Sequence, residues 1–256
     1  MIYEVILFEI LGLFVGSFLN VLILRLKSGE QFITGRSYCP NCRAVLKTFD
    51  LIPVVSFILL HGKCRSCRSA ISWQYPTVEL VTAFAFVSVF LLHAPLSLGI
   101  VSNVLFFRDI VFVCGAIVLF VLDYRWYIVP DQVTVFLTIF LFVLNVFLGF
   151  KLSILFLGVL VGAGFYFCLF ALSKGRWVGA GDIYIGAVLG AMFGWPMILA
   201  VLYVAYLIGG VSATFLLVTG KKNKGGVLPM GTFLFIGALF VLFFQNKVAY
   251  FFSLLL

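Results

Sequence analysis

Apolar runs of about 20 residues recur along this chain, and they constrain it more than any other feature, because that is the length a helix needs to cross the hydrocarbon core of a bilayer. With 64% hydrophobic residues and only 10% charged ones, the 256-residue chain reads as an integral membrane protein. In lipid, every backbone N–H and C=O must be satisfied by the protein, which leaves helices or closed barrels. The runs lack the period-two alternation of a barrel strand. The fold expected is therefore all-α: a polytopic membrane bundle of about eight helices with one small polar loop.

Windows of this length place spans near Ile2 to Leu24, Thr77 to Leu92, Leu105 to Leu122, Val133 to Phe150, Leu152 to Leu172, Ile183 to Trp195, Met197 to Val218 and Thr232 to Gln245. The sixth is short, and Trp195-Pro196 marks a turn or kink behind it. The first residues, Met-Ile-Tyr-Glu-Val-Ile, carry no basic stretch or cleavage signal and are expected to be kept as part of the first span. The division expected is a first transmembrane helix over 1–26, a polar loop over 27–75 and a transmembrane core over 76–256.

Eight Lys and Arg residues lie from Arg25 to Arg68. If the spans alternate, Arg125, Lys174, Arg176, Lys221, Lys222 and Lys224 share that side, leaving Arg108, Lys151 and Lys247 opposite. An excess of basic residues marks the cytoplasmic face, so the loop belongs there and both termini lie outside. The net charge of +8 sits mostly at span borders, as orientation signals do. That argues against a nucleic-acid partner and for membrane lipid as the surroundings.

The loop holds Cys39-Pro-Asn-Cys42 and Cys64-Arg-Ser-Cys67, separated by 21 residues. Two such pairs offer four thiolates to one tetrahedral Zn²⁺, which would supply folding energy that so short an insert cannot draw from a core. Two disulfides are the alternative, disfavoured in a reducing compartment. A site with four Cys ligands has no open position, so its role is structural. Cys114 and Cys168 lie inside spans and read as packing residues.

The chain has only nine carboxylates, and an ionisable group at membrane depth costs about 2.5–3.5 kcal/mol on insertion scales. Asp182 follows Gly179-Ala180-Gly181 at a helix start, where Asp is also an ordinary cap. Asp182, Gly186, Gly190 and Gly194 recur every fourth residue, a face another helix can approach closely, with Gly158-Gly162 and Gly12-Gly16-Asn20 as similar stripes. Asp123 ends one span and Asp131 opens the next, and position alone does not choose between them. Asp131, after Pro130, makes a good N-cap, whereas Asp123 at a helix C-terminus is opposed by the macrodipole. Asp123 is thus the stronger functional candidate. Glu79 and Glu9 read as interhelical hydrogen-bonding groups and Asp109 as the partner of Arg108 at the outer edge.

Two carboxyls sharing a site split their ionisation, one activating water and the other donating a proton to a carbonyl, which is the chemistry of an aspartyl protease. An ion-coupled transporter using Asp123 and Asp182 is the rival reading, weakened because both residues lie at one surface and no inverted repeat is apparent. A zinc-loop membrane scaffold is a third, which leaves the Asp pair idle.

These residues match a known group. Gly16-Ser-Phe-Leu-Asn-Val21, Gly35-Arg-Ser-Tyr-Cys-Pro-Asn-Cys42, Asp50-Leu-Ile-Pro-Val-Val-Ser56, Gly62-Lys-Cys-Arg-Ser-Cys67, Ile71-Ser-Trp-Gln-Tyr-Pro-Thr-Val-Glu-Leu80, the Asp123 to Asp131 stretch and Gly179 to Asp182 follow one another in order. The chain resembles the type IV prepilin peptidases of the GxGD aspartyl protease class over nearly its whole length. The resemblance implies a bacterial inner-membrane enzyme that removes the short basic leader of prepilin or pseudopilin precursors after a glycine. It then implies N-methylation of the new terminus with S-adenosylmethionine. It carries the catalytic pair onto Asp123 and Asp182, and Asp131 as typical of the family but outside the pair. One departure lies before the last span, where the usual Pro-Phe-Gly-Pro is here Pro229-Met-Gly-Thr232. It is expected to alter the substrate groove without touching the Asp pair.

Overall fold

The computed structural model describes residues 2–30, 35–93, 99–220, 229–245, 247–248 and 250–251. Among them the helices are α1 (Ile2–Ser28), α2 (Val55–Leu59), α3 (Gln74–His93), α4 (Ile100–Trp126), α5 (Asp131–Phe147), α6 (Leu152–Ser173), α7 (Ala180–Phe193), α8 (Met197–Val218) and α9 (Met230–Phe243), with a 3-10 turn at Thr48–Leu51. All but α2 coincide with the apolar runs. Five of them, α1, α3, α4, α6 and α8, are long and apolar enough to cross a membrane, while α5, α7 and α9 are apolar but only 17, 14 and 14 residues long. The chain is a helical, multi-pass membrane protein. Lys221, Lys222 and Lys224 lie outside the described residues.

Two compact units divide the chain, Met1–Ser102 and Asn103–Leu256. In the first, α1 packs along α3 through the stripe that opens with Gly12. A Cβ on Gly12 would stand 2.6 Å from Ala83 Cα, and one on Gly16 2.7 Å from Glu79 Cα, so only glycine lets the two backbones come this close. One turn on, Asn20 Nδ2 donates to the Tyr75 carbonyl at 3.0 Å, using the approach for a hydrogen bond. Glu79 does not bond across to α1 alone as a helix-to-helix group would. Its Oε2 accepts the Val54 N–H at 2.8 Å, tying the loop to α3. Glu9 is exposed on α1, and the stacked rings of Phe8 and Phe90 fill the contact at that level.

The second unit is built on the pairs α6 with α7, α8 with α9, and α5 with α7. The two glycine stripes meet each other: a Cβ on Gly162 or Gly186 would run into the carbonyl oxygen of the other, and one on Gly158 would lie 2.6 Å from Gly190 O and from Gly194 Cα. In a lipid solvent, where apolar contact with a neighbour is little better than contact with acyl chains, such close van der Waals packing is what holds helices together. At the far end of α7, Asn145 of α5 donates to the carbonyls of Ala191 and Met192 at 2.8 and 3.1 Å. Those carbonyls belong to the last turn, which has no intrahelical donors. Arg108 in turn donates to Asn145 Oδ1 at 2.9 Å and pairs with Asp109 at 2.7 Å. The pairing of Arg108 with Asp109 is as the sequence suggests, but both side chains are buried inside the unit.

Gly186→Ala forces a methyl onto the α6 backbone, whereas a Cβ at Gly164 on α6 meets nothing within 4 Å. Overpacking of this kind costs about 1–3 kcal/mol. Thermal unfolding in detergent should show Gly186→Ala several degrees below the parent and Gly164→Ala at or above it.

Candidate functional site

Asp182 occupies the third position of α7, whose N-cap is Gly179. Its Oδ2 accepts the Gly179 N–H at 3.0 Å, so the carboxylate does serve as a cap, but with one oxygen only. The preceding Gly181 has a different reason to be glycine. A Cβ there would stand 2.7 Å from Val129 Cβ, in the turn between α4 and α5. Val129 therefore lies on the Gly-Ala-Gly approach, and this contact seats the turn that follows Asp123 against the start of α7. The Gly186, Gly190 and Gly194 face below Asp182 is covered by α6.

Asp123 lies in the last turn of α4, where the helix dipole disfavours a carboxylate. The disfavour is offset from elsewhere. Its Oδ2 accepts the Thr232 N–H at 2.8 Å and the Thr232 hydroxyl at 3.3 Å, from the first turn of α9. Gly231 allows this approach, since a Cβ on it would meet Asp123 Oδ2 at 2.8 Å and Ile185 Cδ1 at 2.6 Å. Ile185 is three residues beyond Asp182, so the first turn of α9 touches both acid-bearing helices at the level of their carboxylates. Asp123 and Asp182 are 6% and 7% exposed, and Gly231 lies against both Asp123 and Ile185, the residue one turn past Asp182. Neither Oδ1 accepts a hydrogen bond from a described residue. Among the described residues, the arrangement leaves two buried carboxylates, each with one oxygen anchored by a backbone N–H and the other without a donor.

The departure at Pro229-Met-Gly-Thr232 thus touches Asp123 directly, contrary to the expectation from sequence. The reason is chemical: Thr supplies both an N–H and a hydroxyl where Pro supplies neither. Thr232 is the site residue that sequence reading passed over, and its signal was the non-Pro residue in a Pro position. Asp131 is the first helical residue of α5, behind the N-cap Pro130, and stays exposed.

The loop brings Cys39, Cys42, Cys64 and Cys67 together, with all four sulfurs within 4.8 Å of one another. Cys39 and Cys67 are 4.0 Å apart, far beyond a disulfide bond and close to the roughly 3.8 Å edge of a tetrahedron with metal–sulfur distances near 2.3 Å. The cluster can hold a metal ion. It is built from two copies of one turn. Cys39 N–H donates to Ala44 O and Arg43 N–H to Cys39 O, while Cys64 N–H donates to Ser69 O and Arg68 N–H to Cys64 O. Arg43 and Arg68 hold equivalent positive φ values of 60° and 58°.

Each turn aims donors at its sulfurs. The Ser69 hydroxyl, 3.1 Å from Cys67 Sγ, and then the Ser69 N–H draw the Cys67 thiol down to about 6. The Cys42 N–H draws the Cys39 thiol below its ordinary value. Cys42 receives the Ala44 N–H, yet desolvation and the three neighbouring sulfurs outweigh it and hold that thiol up to about 11. Lone thiolates this crowded repel one another, and a cation at their centre removes the conflict.

Residues 10–93 of the chain match the Bacterial Peptidase A24 N-terminal domain, and residues 110–214 match the Type IV leader peptidase family. Among curated relatives, the prepilin leader peptidase/N-methyltransferase of Bacillus subtilis (strain 168) is 32% identical over 246 residues, covering 95% of this chain and 95% of its own. The proteins of the same name from Legionella pneumophila and Myxococcus xanthus (strain DK1622) are 26% and 34% identical, covering 96% and 87% of this chain and 94% and 66% of theirs. No solved structure matches the chain.

One ion pair steadies the loop beside the cysteines. Asp50 accepts the Arg65 guanidinium at 2.7 Å and the Lys47 N–H at 3.1 Å. Burial pushes the Asp50 carboxyl up, but the Arg65 and Lys47 donors and their charges outweigh it and hold it below the ordinary carboxylate range. A carboxyl lowered on folding stabilises the folded state above its unfolded value, near 4, and the stabilisation is lost as pH falls through the lower folded value. Protection of the amides at residues 48–51 and 65–68, measured against their intrinsic exchange rates, should fall in the parent as pH drops below about 4. In Asp50→Asn it should be lower at neutral pH and lack that added acid sensitivity.

Proposed function

Because the chain belongs to the type IV leader peptidase family, we propose that it is a bacterial inner-membrane aspartic endopeptidase that removes the leader of prepilin or pseudopilin precursors after a glycine and N-methylates the new terminus. Asp123 and Asp182 are its catalytic pair. The observation that supports this most is the pair of buried carboxylates from α4 and α7, each anchored through Oδ2 and, among the described residues, without a donor at Oδ1.

Such a pair holds one proton between two carboxyls. The unprotonated member takes a proton from water as the water oxygen attacks the scissile carbonyl carbon, and the protonated member donates to the carbonyl oxygen. Collapse of the tetrahedral species then returns a proton to the leaving nitrogen as the C–N bond breaks. A precursor whose apolar helix lies in the membrane and whose leader lies in the cytoplasm presents its scissile bond at the membrane surface, where the end of α4 and the start of α7 sit in the reading from basic residues. Glycine at the cleavage point lets an extended backbone pass between two side chains.

We assign the metal as structural zinc held by Cys39, Cys42, Cys64 and Cys67, with residues 27–75 as its module, 1–26 as the first membrane helix and 76–256 as the protease core. Zinc in a site of four thiolates supplies cohesion to the loop, not a Lewis acid for hydrolysis. The methyl donor is S-adenosylmethionine by family. Among the described residues, the Gly179-Ala180-Gly181 run beside Asp182 is taken up by the Asp182 cap and the Val129 contact and offers that donor no cradle. The names of the relatives speak for peptidase and methyltransferase and do not favour an ion-coupled carrier.

Two experiments test the assignments. Asp123→Asn and Asp182→Asn should each lower leader removal from a membrane-embedded precursor by roughly 100-fold or more. Parental cleavage by either variant would refute the pair. Purified parent should carry about one zinc per chain, and the double change Cys39→Ser with Cys64→Ser should reduce it to background. Full zinc content in that variant would refute the site.

A further inference from the structure

We propose that Thr232 is the positioning residue of Asp123 in this chain, clamping Oδ2 with its N–H and hydroxyl so that Oδ1 is the oxygen turned to the reacting water. The inference rests on the peptidase reading of Asp123 given above and says what makes that carboxylate competent.

The two donors meet the same oxygen, at 2.8 and 3.3 Å, and come from a residue 109 positions along the chain. Thr232 is the third residue of α9, behind the N-cap Pro229. The first N–H groups of a helix have no carbonyl partner within it and carry its positive dipole end. Asp123 therefore closes one helix at the wrong pole for an anion and meets another at the right one. Thr232 is itself buried, so water does not compete for its donors. Asp182, by contrast, is held by the N–H of its own cap residue three positions away. Its rotamer is settled locally, whereas that of Asp123 depends on α9 being docked.

Gly231 supplies an independent probe. The two atoms a Cβ would strike, Ile185 Cδ1 and Asp123 Oδ2, are both side-chain tips. The backbone can stay in place while the tips yield, and one of the tips that must yield is the carboxylate. Gly231→Ala is thus a change that moves Asp123 more than it strains the fold. The Pro of the family pattern at position 232 has neither donor, so Thr232→Pro suits the backbone shape of the family while removing the clamp.

The test measures kcat and KM for leader removal by the purified full chain in detergent, with a membrane-embedded pilin-like precursor and Asp123→Asn as control. Thr232→Ser should keep both donors and stay within about 2-fold of the parent, and Thr232→Val, which keeps only the N–H, should lose roughly 2- to 5-fold in kcat. Thr232→Pro and Gly231→Ala should lose roughly 10- to 100-fold in kcat, the size expected for donors to a charged group, with KM and melting temperature near the parent. Parental kcat in both Thr232→Pro and Gly231→Ala, with Asp123→Asn inactive, would overturn the positioning role and leave the peptidase reading standing. Losses in KM instead of kcat, or in Thr232→Ser as large as in Thr232→Pro, would equally overturn it. Parental cleavage by Asp123→Asn would instead sink the peptidase reading itself.

Discussion

A carboxylate taken out of water needs hydrogen-bond donors from the protein, and the second unit is organised around that need. Asp182 finds its donor by standing three residues into a helix that begins at Gly179. Asp123 ends its helix and finds none nearby, so α9 must bring Thr232 to it. The same rule governs the buried polar cluster at the other end of α7. Asp109 is matched by Arg108, Arg108 by Asn145, and Asn145 spends its amide on the two carbonyls that α7 leaves unpaired at its end. With polar groups settled at both its ends and glycines along its middle, the short α7 is held among α5, α6, α8 and α9. A fixed α7 is what allows its first turn to hold a reactive side chain.

Glycine provides the second constraint. Between α6 and α7 and between α1 and α3 the residues in contact lack side chains, so backbone packs on backbone and dispersion replaces the hydrophobic drive that lipid does not provide. At Gly181 and Gly231 the same absence of a Cβ serves a different end. It admits Val129 to the approach of α7 and brings the start of α9 against Asp123. Packing glycines hold the helices, and these two bring the segments around the carboxylates within reach. The loop is organised differently, as two matching turns that converge four sulfurs, with Asp50 and Arg65 clasped beside them and Glu79 holding Val54 to α3. It has too few residues to bury a core, so its hydrogen-bonded turns and the Asp50–Arg65 ion pair carry its order.

Much of this was legible from the chain alone. The apolar runs, the paired Cys-x-x-Cys segments and the four-residue glycine period are local patterns, and each states its physical requirement within a few neighbours. Reading Asp182 as a helix-start residue facing a partner helix needed only its own stripe. The misreadings share one cause. Glu9 looked like an interhelical group and Thr232 like a groove variation, since nothing in the neighbouring sequence says what the helix face of either one meets. A helix period tells which residues share a face and is silent on what that face meets.

The sequence by itself determined that lipid is the solvent, that the backbone is therefore helical, that four thiols stand ready for one ion, and that acids scarce enough to be costly stand at helix ends. Those conclusions follow from composition and short-range spacing, which solvent and covalent geometry translate directly into structure. Only the tertiary structure decided that α9 docks its first turn on Asp123, that Val129 covers Gly181, and that one oxygen of each acid receives no donor from the described residues. Those are contacts between segments up to 109 residues apart. They are set by which helices can approach closely enough to satisfy a buried charge, a condition written in no single stretch of chain.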